Sequence, residues 1–588
     1  MTTAIESKPV PALPPWYPTW SKSLADLYFS GTINTFVLHG NVHDLIPCEK
    51  NGAKTFVSLG DFLATHLFGT WDVTLSYDLG RGLRPVCGDD SARLQRMVQN
   101  LASIIGAPNS WTRDAEKTID LLDQLLQRNL LEEGGDKRKR IALLFEHAQY
   151  LLPSGDLSSQ ARSNAARLVR FLGWAANPYI KRLNIAFCLI TEKLSEISER
   201  LVNSPHVANI EIPLPSAQGR RTFITSVVGE NSTAKLGKMS IDGLSQSAAG
   251  LSLLNLNVLL SQGGSKELDL AQFRKLKKGM IERQCQGLVE FVEPPHTLDL
   301  LVGQPAAKAR LEQDATWISE GKLEMAPMGY LFCGAVGTGK TFFAECYAGS
   351  IGIPCLKLRN FRSKYVGETE GNLEQVLTVL RSLGPVVVIV DEADASLGDR
   401  HTEGDSGTSG RVFSMIASQM GDTQYRGKII WMLLTSRPDL LPIDLKRQGR
   451  CEVHIPLFAP YEAREIATMF AAMAKKNKVT LAENALPEVS PDRQLSGADL
   501  ESILLAARRK ALIANRQVLE RSDLESALEE FIPSAQGLEK ELQEIAAVLE
   551  CTERAFLPPH WRERIAEPGA RSRLQERMVA LRQLIDGT

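Results

Sequence analysis

The sequence predicts an α/β protein built from two related modules, each a parallel sheet followed by a helical segment. Three observations support this: an internal repeat, apolar strand patterns that alternate with helical stretches in each copy, and a purely helical run of about 75 residues closing each copy. At 588 residues the chain is too long for one core. With 44% hydrophobic and 23% charged residues, collagen-like, mucin-like and wholly disordered classes are excluded.

The internal repeat is visible at three landmarks. IALLFEHAQYLLP around Glu146 resembles VVVIVDEADASLG around Asp391, NIAFCLITEKLSEISERL resembles KIIWMLLTSRPDLLPIDL, and AGLSLLNLNVLL resembles SGADLESILLAA. The spacings to the second copy are 245, 244 and 247 residues, measured from Glu146, Thr191 and Gly250. Because three separate landmarks share nearly one spacing, we interpret the chain as two diverged copies of one module.

Composition and motif positions divide the chain into six segments. They are a Pro- and aromatic-rich arm (1–25), an α/β domain without a phosphate-binding loop (26–215), its helical lid and linker (216–290), an α/β domain with such a loop (291–460), a second helical lid (461–535) and a C-terminal helical extension (536–588).

The two end segments have distinct predicted roles. The prolines of the arm favour an extended conformation over a helix, either as a free tail or packed on a neighbour through Trp16, Tyr17 and Trp20. The C-terminal extension carries two amphipathic helical patterns, which we expect to pack on the lid or a neighbouring subunit, or to serve as an adaptor-binding tail.

A phosphate-binding loop, the P-loop, follows an apolar strand pattern in MGYLFCGAVGTGKTFFAECYA and precedes a helix-forming stretch. Its glycines let backbone N–H groups curl around the phosphates of ATP at a helix N-terminus, while Lys340 reaches the β- and γ-phosphates and the Thr341 hydroxyl ligates Mg²⁺. The predicted loop residues are Gly334, Ala335, Val336, Gly337, Thr338, Gly339, Lys340 and Thr341.

Five further residues match an ATPase whose site is shared between subunits. Directly after the buried strand VVVIV, Asp391 is predicted to bind the Mg²⁺ shell and Glu392 to act as the catalytic base. The polar pair that ends at Ser436 follows IIWMLLT, where it can sense the γ-phosphate or position the attacking water. Arg447 and Arg450 can project into a neighbour's site as arginine fingers.

With these motifs, residues 291–535 resemble the classical AAA clade of AAA+ ATPases. Other matching stretches are KYVGETEGNLEQV, LLTSRPDLLPIDLKRQGR and SGADLESILLAARRKAL followed by SDLESALEEFIPS, and the wider layout is similar to bacterial and plastid-encoded AAA ATPases. The resemblance implies two tandem AAA+ modules with the first degenerate, hydrolysis of ATP to ADP and phosphate with Mg²⁺, and a homo-oligomeric ring, usually a hexamer. It also implies nucleotide contacts from Val302, Gly303, Gly497 and Ala498.

Two positions depart from the family pattern. Ser436 stands where members usually carry Asn, which changes how the attacking water is positioned, and Cys451-Glu452 stands where they favour Phe-Asp. Neither change removes a charge that hydrolysis needs, so we expect an active ATPase.

Tyr365, Val366 and Gly367 resemble the aromatic–hydrophobic–Gly pore loop with which AAA rings grip extended polypeptide. An aromatic and a branched side chain on a glycine-hinged loop can intercalate between side chains without selecting a sequence, because the contact is apolar and tolerant of shape. A second pore loop of the family lies near GDRHTEGDSGTSGR, residues 398–411, where His401 either contacts substrate or is a solvated loop histidine.

The first copy has no GK[ST] motif before residue 334 and so lacks the groups that hold β- and γ-phosphate. Its strand TFVLHGN places HGN (39–41) where the P-loop would lie, a register that the order of strands and helices favours over CG (87–88). We expect this half to act as scaffold, ring stabiliser or partner-docking domain. An alternative makes His39, His43 and His147 metal ligands, without acid or cysteine partners at a recognisable spacing.

The favoured function is an ATP-driven protein remodeller or unfoldase, with a nucleotide-dependent assembly factor that clamps a protein partner through the degenerate half as the alternative. A net charge of −2 and a pore loop without a basic cluster disfavour nucleic acid as a partner. No HExxH zinc-protease motif occurs, so proteolysis would need a separate partner. Nine scattered cysteines, with neither a membrane-spanning run nor a signal peptide, predict a cytoplasmic protein with reduced thiols.

Overall fold

The chain forms two compact units. In the computed structural model the first comprises the described parts of Met1–Cys285 and Ser363–Ser382, and the second those of Gln286–Arg362 and Leu383–Thr588. The structure describes residues 13–50, 52–132, 138–155, 162–228, 240–262, 270–293, 296–359, 366–397, 408–532 and 537–586.

A six-stranded sheet lies at the centre of the first unit, in the order β5-β4-β6-β7-β1-β8, and only β5 runs antiparallel to its neighbour. A separate hairpin is formed by β2 and β3. The strands are β1 Thr35–Gly40, β2 Ile46–Lys50, β3 Ala53–Val57, β4 Val73–Asp78, β5 Gly82–Pro85, β6 Ile141–Phe145, β7 Ile185–Ile190 and β8 Val207–Ile212.

Helices cover both faces of this sheet, and successive strand residues enter opposite cores. Leu143 and Phe187 belong to one core, where Phe187 stacks on Trp174, and Leu144 and Cys188 belong to the other. The helices are α1 Thr19–Phe29, α2 Leu59–Phe62, α3 Ser91–Ile105, α4 Ala115–Leu131, α5 Ala148–Leu151, α6 Arg162–Ala176, α7 Pro178–Arg182, α8 Glu199–Val202, α9 Ala217–Val228, α10 Ile241–Ser247, α11 Leu253–Gln262 and α12 Leu270–Gln284.

The extended arm predicted for residues 1–25 is wrong from Thr19 onward, where α1 begins directly after Pro18. Residues 1–12 lie outside the described part of the chain. Proline is tolerated just before a helix, and the eleven residues of α1 contain none. Tyr17 and Trp20 are buried within their own unit against Phe62, so these aromatics complete a core.

The second unit repeats the same sheet, in the order β14-β10-β13-β12-β11-β9, with β9 as the antiparallel edge strand. A two-residue parallel pair, β15 and β16, lies within the lid, so that segment is not purely helical. The strands are β9 Val289–Val292, β10 Gly329–Gly334, β11 Cys355–Leu358, β12 Val386–Val390, β13 Ile429–Thr435, β14 Val453–Leu457, β15 Thr480–Leu481 and β16 Val518–Leu519.

The helices that follow in chain order complete the structure. No helix among the described residues is long and apolar enough to cross a membrane. The helices after α12, in chain order, are α13 Pro305–Ser319, α14 Lys340–Ile351, α15 Val366–Leu383, α16 Ala393–Leu397, α17 Thr408–Gly421, α18 Ile443–Lys446, α19 Ala463–Lys476, α20 Gly497–Ile513, α21 Arg521–Glu530, α22 Gly537–Glu550, α23 Pro559–Ala566 and α24 Ala570–Asp586.

Helix α15 packs with the first unit for most of its length. Lys193 Nζ donates to Asn372 Oδ1 at 2.9 Å, and His39 Nδ1 lies 3.4 Å from a carboxylate oxygen of Glu374. Near its C-terminal end, Thr378 donates to Glu211. The helix is therefore bound at the carboxyl ends of β1, β7 and β8.

The two sheets share one strand order, which confirms the tandem α/β modules. Only the five mutually parallel strands of each sheet are counted here, from β1 in the first unit and from β10 in the second. In both sheets the first of these strands lies between the fourth and the fifth, and one antiparallel edge strand is added. Gly40 ends β1 opposite Ile212, as Gly334 ends β10 opposite Leu457. HGN at 39–41 therefore takes the place of the P-loop, and the CG register fails because Cys87 follows the edge strand β5.

Candidate functional site

The P-loop joins the end of β10 to the start of α14. Gly337 and Gly339 have φ of 85° and 87°, a left-handed conformation that side chains other than glycine adopt at a cost. A Cβ at Gly337 would lie 2.5 Å from Ser496 Oγ, so the loop also needs glycine for space. The loop curls over the N-terminus of a twelve-residue helix, whose free N–H groups and dipole favour anions.

A cavity of about 610 Å³ opens above this loop, a size typical of sites for nucleotide-sized ligands. It collects predicted residues from five separate stretches of sequence. Those that line it are Val302, Val336, Gly337, Thr338, Gly339, Lys340, Thr341, Asp391, Glu392, Ser436, Gly497 and Ala498. Gly334, Ala335 and Gly303 adjoin these residues in the chain without lining the cavity.

Lys340 is folded back onto its own loop. Its Nζ donates to the carbonyl oxygens of Gly334 at 2.8 Å and Ala335 at 3.0 Å. Burial lowers the pKa of Lys340, and Asp391 is among the groups that oppose this shift. The ammonium thus rests on weak neutral acceptors, which the more negative phosphate oxygens of a nucleotide can replace.

Asp391 is the acidic centre of the cavity. Thr341 Oγ1 donates to Asp391 Oδ2 at 3.3 Å, and Lys357 Nζ from β11 donates to the same oxygen at 2.7 Å. A hydroxyl and a carboxylate oxygen side by side are the hard donors that Mg²⁺ prefers, so the residues present fit this ion. Lys357 was missed in the sequence because no motif links β11 to the acidic strand end.

Glu392 is exposed to the cavity and has φ of 48°, which is strained for a side chain of this kind. Its backbone N–H donates to Asp391 Oδ1 at 3.1 Å. The first unit has the same feature, since His147 follows β6 with φ of 54°. The strained turn therefore belongs to the shared fold, and only the second copy places a carboxylate on it.

The predicted sensor position is held by a second acid. Thr435 Oγ1 donates to Asp394 Oδ1 at 2.6 Å and also accepts the N–H of Arg437, which fixes the end of β13. Ser436, between these residues, lines the cavity. Asp394 was missed although it stands three residues after Asp391, in the first turn of α16.

The lid closes the other side of the cavity. The N–H of Ala498, at the start of α20, donates to Gly337 O at 3.2 Å, so the lid is bonded directly to the P-loop. Glu465, which also lines the cavity, fills the space beside Gly303, where φ is 77° and a Cβ would meet its carboxylate at 2.1 Å. Burial raises the pKa of Glu465.

The two candidate arginine fingers lie outside the cavity lining. The Arg447 side chain is 59% exposed, whereas Arg450 is 13% exposed and donates to the carbonyl of Asp444 at 2.7 Å. Of the two, Arg447 has the freedom that a group reaching into another subunit needs.

Only part of the candidate pore loop lies within the described residues. Tyr365 and His401 lie outside the described residues, and Val366 and Gly367 are the first two residues of α15.

At the same edge of the first unit, an internal ion cluster stands where the second unit has Asp391. Glu146, which corresponds to Asp391, accepts hydrogen bonds from Arg84 at 2.9 Å, Arg81 at 2.6 Å and the buried Ser76 at 2.7 Å. Burial works against the ionised form of Asp78, yet hydrogen bonds from Arg84 and Arg81 lower its pKa to about 2. The acids at this edge are already neutralised by arginine.

The P-loop counterpart of the first unit is also closed by a carboxylate. Asp44 is 3% exposed and accepts the N–H groups of Leu253 and Leu254, at 2.8 and 2.9 Å, together with Asn41 Nδ2 at 2.8 Å. It therefore caps α11, the lid helix that corresponds to α20, at the turn where phosphate would otherwise bind.

The metal-ligand hypothesis for three histidines is not supported. His39 lies beside Glu374, and His43 Nε2 lies 2.9 Å from Glu192. His147 is a ring neighbour of His43. Among the described residues no group of three or more His, Cys, Asp or Glu could hold a metal ion.

Three family profiles match consecutive parts of the chain. One described as an AAA+ chaperone, N-terminal Rossmann-like domain, matches residues 10–213, and one described as an AAA+ chaperone, second helical domain, matches 218–286. The ATPase family associated with various cellular activities (AAA) matches 330–458. The matches thus fall on both sheets and on the first lid.

Curated relatives match at low to moderate identity. An uncharacterized AAA domain-containing protein ycf46 of Guillardia theta is 24% identical over 362 residues, which is 60% of this chain and 70% of the relative. Its namesake in Trieres chinensis is 31% identical over 216 residues, 36% of this chain and 42% of the relative. The ATP-dependent zinc metalloprotease FtsH of Hahella chejuensis is 25% identical over 271 residues, 43% of this chain and 42% of that protein.

Proposed function

Because this chain belongs to the classical AAA clade of AAA+ ATPases, we propose that it hydrolyses ATP as a ring and uses the energy to remodel other polypeptides. The observation that carries the proposal is the cavity of the second unit, where Lys340, Thr341, Asp391 and Glu392 converge from separate elements. A hexamer is the ring size we infer from the resemblance.

Each residue has a defined task in this proposal. The P-loop amides and Lys340 hold the phosphates, and Thr341 with Asp391 holds Mg²⁺, which when bound supplies charge neutralisation at the phosphates. Glu392 accepts the proton of the attacking water, and Ser436 orients that water. Arg447, and Arg450 if its contact to Asp444 O is released, complete the site of the next subunit.

We further propose that the Tyr365, Val366 and Gly367 segment grips the substrate polypeptide. Its support is the motif and its place directly at the start of α15. All nine cysteines are free thiols in the structure, eight of them buried, which favours the reducing cytoplasm as the compartment.

A test starts from Glu392→Gln, which keeps the shape of the side chain and removes its basicity. The variant should bind nucleotide as wild type does, and its turnover should fall by at least about 100-fold. Light scattering with ATP should give the mass of a ring for both proteins. The ring of the variant should persist longer, because the variant cannot hydrolyse its bound ATP.

The opposite result would be equally informative. A monomer in every nucleotide state, or unchanged turnover in Glu392→Gln, would contradict the proposed ring ATPase. Lys340→Ala serves as the control, because it should lose nucleotide binding together with turnover.

A second candidate is favoured by the arginine-neutralised edge of the first unit, where Glu146 is paired with Arg81 and Arg84. A module whose acid at the strand ends is already paired with arginine can serve as a docking domain, and slow hydrolysis in the second unit would then time the release of a clamped protein partner. Fast turnover that a peptide substrate stimulates would exclude this candidate.

A further inference from the structure

The C-terminal helix α22 packs behind the P-loop. Its apolar face, with Leu542, Ile545 and Val548, belongs to a core that α23 and α24 complete, and it lies against β10 and β14. Phe458 belongs to the same core and also lines the ATP cavity. Cys333, one residue before the P-loop, is close to the backbone of this helix, with its Sγ 3.9 Å from Ala547 O. This extension lies beyond residues 330–458, which the AAA profile matches.

One polar side chain of α22 reaches the P-loop itself. Gln543 is 5% exposed, and its Oε1 accepts the backbone N–H of Val336 at 3.0 Å. A buried amide on an otherwise apolar helix face is costly unless it is paired, and it is paired to the P-loop backbone. Val336 immediately precedes Gly337, where the loop turns into its left-handed conformation.

The same extension also holds the loop after β13. Arg582 of α24 donates to Asp439, which in turn is paired with Arg437, the residue after Ser436. Burial opposes ionisation of Asp439, but Arg437 and Arg582 together lower its pKa. The sensor position is thus joined to α24 through two consecutive ion pairs.

A third contact leads to the candidate arginine finger. Glu550, the last residue of α22, accepts a hydrogen bond from Lys446 Nζ, and Lys446 immediately precedes Arg447. Lys446 also donates to Pro438 O, so one ammonium joins α22 to the loop after β13.

We propose that Gln543 and Arg582 are positioning residues of the ATP site, and that α22 to α24 form a brace that sets the geometry of the P-loop and the sensor loop from behind. Gln543 acts on nucleotide affinity, because it fixes the backbone that cradles phosphate. Arg582 acts on the rate of hydrolysis, because it fixes the loop that carries Ser436. The proposal rests on the proposed ATPase activity and adds its control by the C-terminal extension.

Two substitutions in the full-length protein separate these effects. Gln543→Met removes the acceptor at similar volume and should raise KM for ATP and Kd for a fluorescent ADP about fivefold, with kcat within about twofold. Arg582→Met removes the charge that holds Asp439 and should lower kcat about fivefold or more, with KM and Kd nearly unchanged.

Glu541→Ala is the matched control. It breaks the ion pair to Arg577 that joins α22 to α24 on the surface, without touching either loop. It should leave KM, Kd and kcat unchanged, while thermal unfolding reports any general loosening in all three variants.

Three results would overturn the proposal: unchanged Kd in Gln543→Met, unchanged kcat in Arg582→Met, or equal kinetic changes in Glu541→Ala. If Gln543→Met fails to fold, Arg582→Met still tests the brace. If the wild type binds the fluorescent ADP and Lys340→Ala does not, the ATP site is established independently of the brace. Failure of the brace is then distinguishable from failure of the ATPase.

Discussion

Glu392 and His147 occupy equivalent backbone positions in the two copies of the module, but their side chains differ in chemistry. Both Glu392 and His147 follow the third strand of their sheets with positive φ, near 50° in each case. Such a conformation is uncommon for these residues and costs on the order of 1 kcal/mol or more. Because the strain persists in the copy that carries a histidine there, the turn is a property of the fold, and the proposed function gives it a catalytic use in the second copy.

Tyr365→Ala tests the proposed grip on polypeptide. Removing the aromatic ring should leave basal ATPase within about twofold, since the residue belongs to no part of the proposed ATP site, and should abolish stimulation of turnover by an unfolded protein. The measurement is phosphate release with and without substrate. Equal stimulation in the variant would contradict the proposed role, and Tyr365→Phe, which keeps the ring, is the control expected to behave as wild type.

Residues joined by a contiguous motif were predicted from the sequence, and those joined only in space were not. The P-loop, Asp391 and Ser436 were found because their spacing along the chain carries the chemistry, and the structure brings them to one cavity. Lys357 and Gln543 act through contacts with residues 34 and 207 positions away. No local pattern marks such partners, since a lysine in a strand or a glutamine in an amphipathic helix is unremarkable by itself.

At the scale of elements, the two lid helices are capped in different ways. Ser496 and Asp499 form a capping box at α20, and the same first turn bonds to the P-loop through the N–H of Ala498. At α11 the caps come from Asp44, 209 residues away in sequence. A local cap leaves α20 joined to the P-loop by a single backbone bond, whereas a distant buried carboxylate ties α11 firmly to the turn after β1.

Asp44→Ala should therefore destabilise the first unit by about 1–3 kcal/mol, because the N–H groups of Leu253 and Leu254 lose their acceptor in a buried place. Urea unfolding followed by tryptophan fluorescence measures the loss. Asp114→Ala is the matched control: Asp114 caps α4 at an exposed position, and its loss should cost about 1 kcal/mol or less. An equal effect of the two substitutions would contradict the role given to Asp44.

The two parallel α/β modules were predictable, because apolar runs and a repeat spacing define them without any knowledge of contacts. The antiparallel edge strands β5 and β9 and the conformation of the N-terminal segment were not. GLRP and VEFV are short and carry no alternation that separates an edge strand from a loop. Proline spacing predicts extension only as far as the prolines themselves continue, and they stop at Pro18.

For the whole molecule, we expect one nucleotide per chain. The second unit has the full set of phosphate-binding groups, whereas in the first Glu146 is paired with two arginines and Asp44 closes the turn after β1. Isothermal titration with ADP should give a stoichiometry of one, and Lys340→Ala should abolish binding. Retained binding in Lys340→Ala, or a stoichiometry of two in wild type, would show that the first unit also holds nucleotide.

Helix α15 has a consequence for how the protein is made. The first unit contains the described parts of Met1–Cys285 together with α15, which supplies Asn372, Glu374 and Thr378 to its strand ends. During translation, β8 is the last of these three strands to emerge from the ribosome, and it ends 154 residues before that helix begins. At about 5–20 residues per second, the strand ends of the nascent first unit stay uncovered for roughly 8–30 s, a period in which a chaperone can bind them.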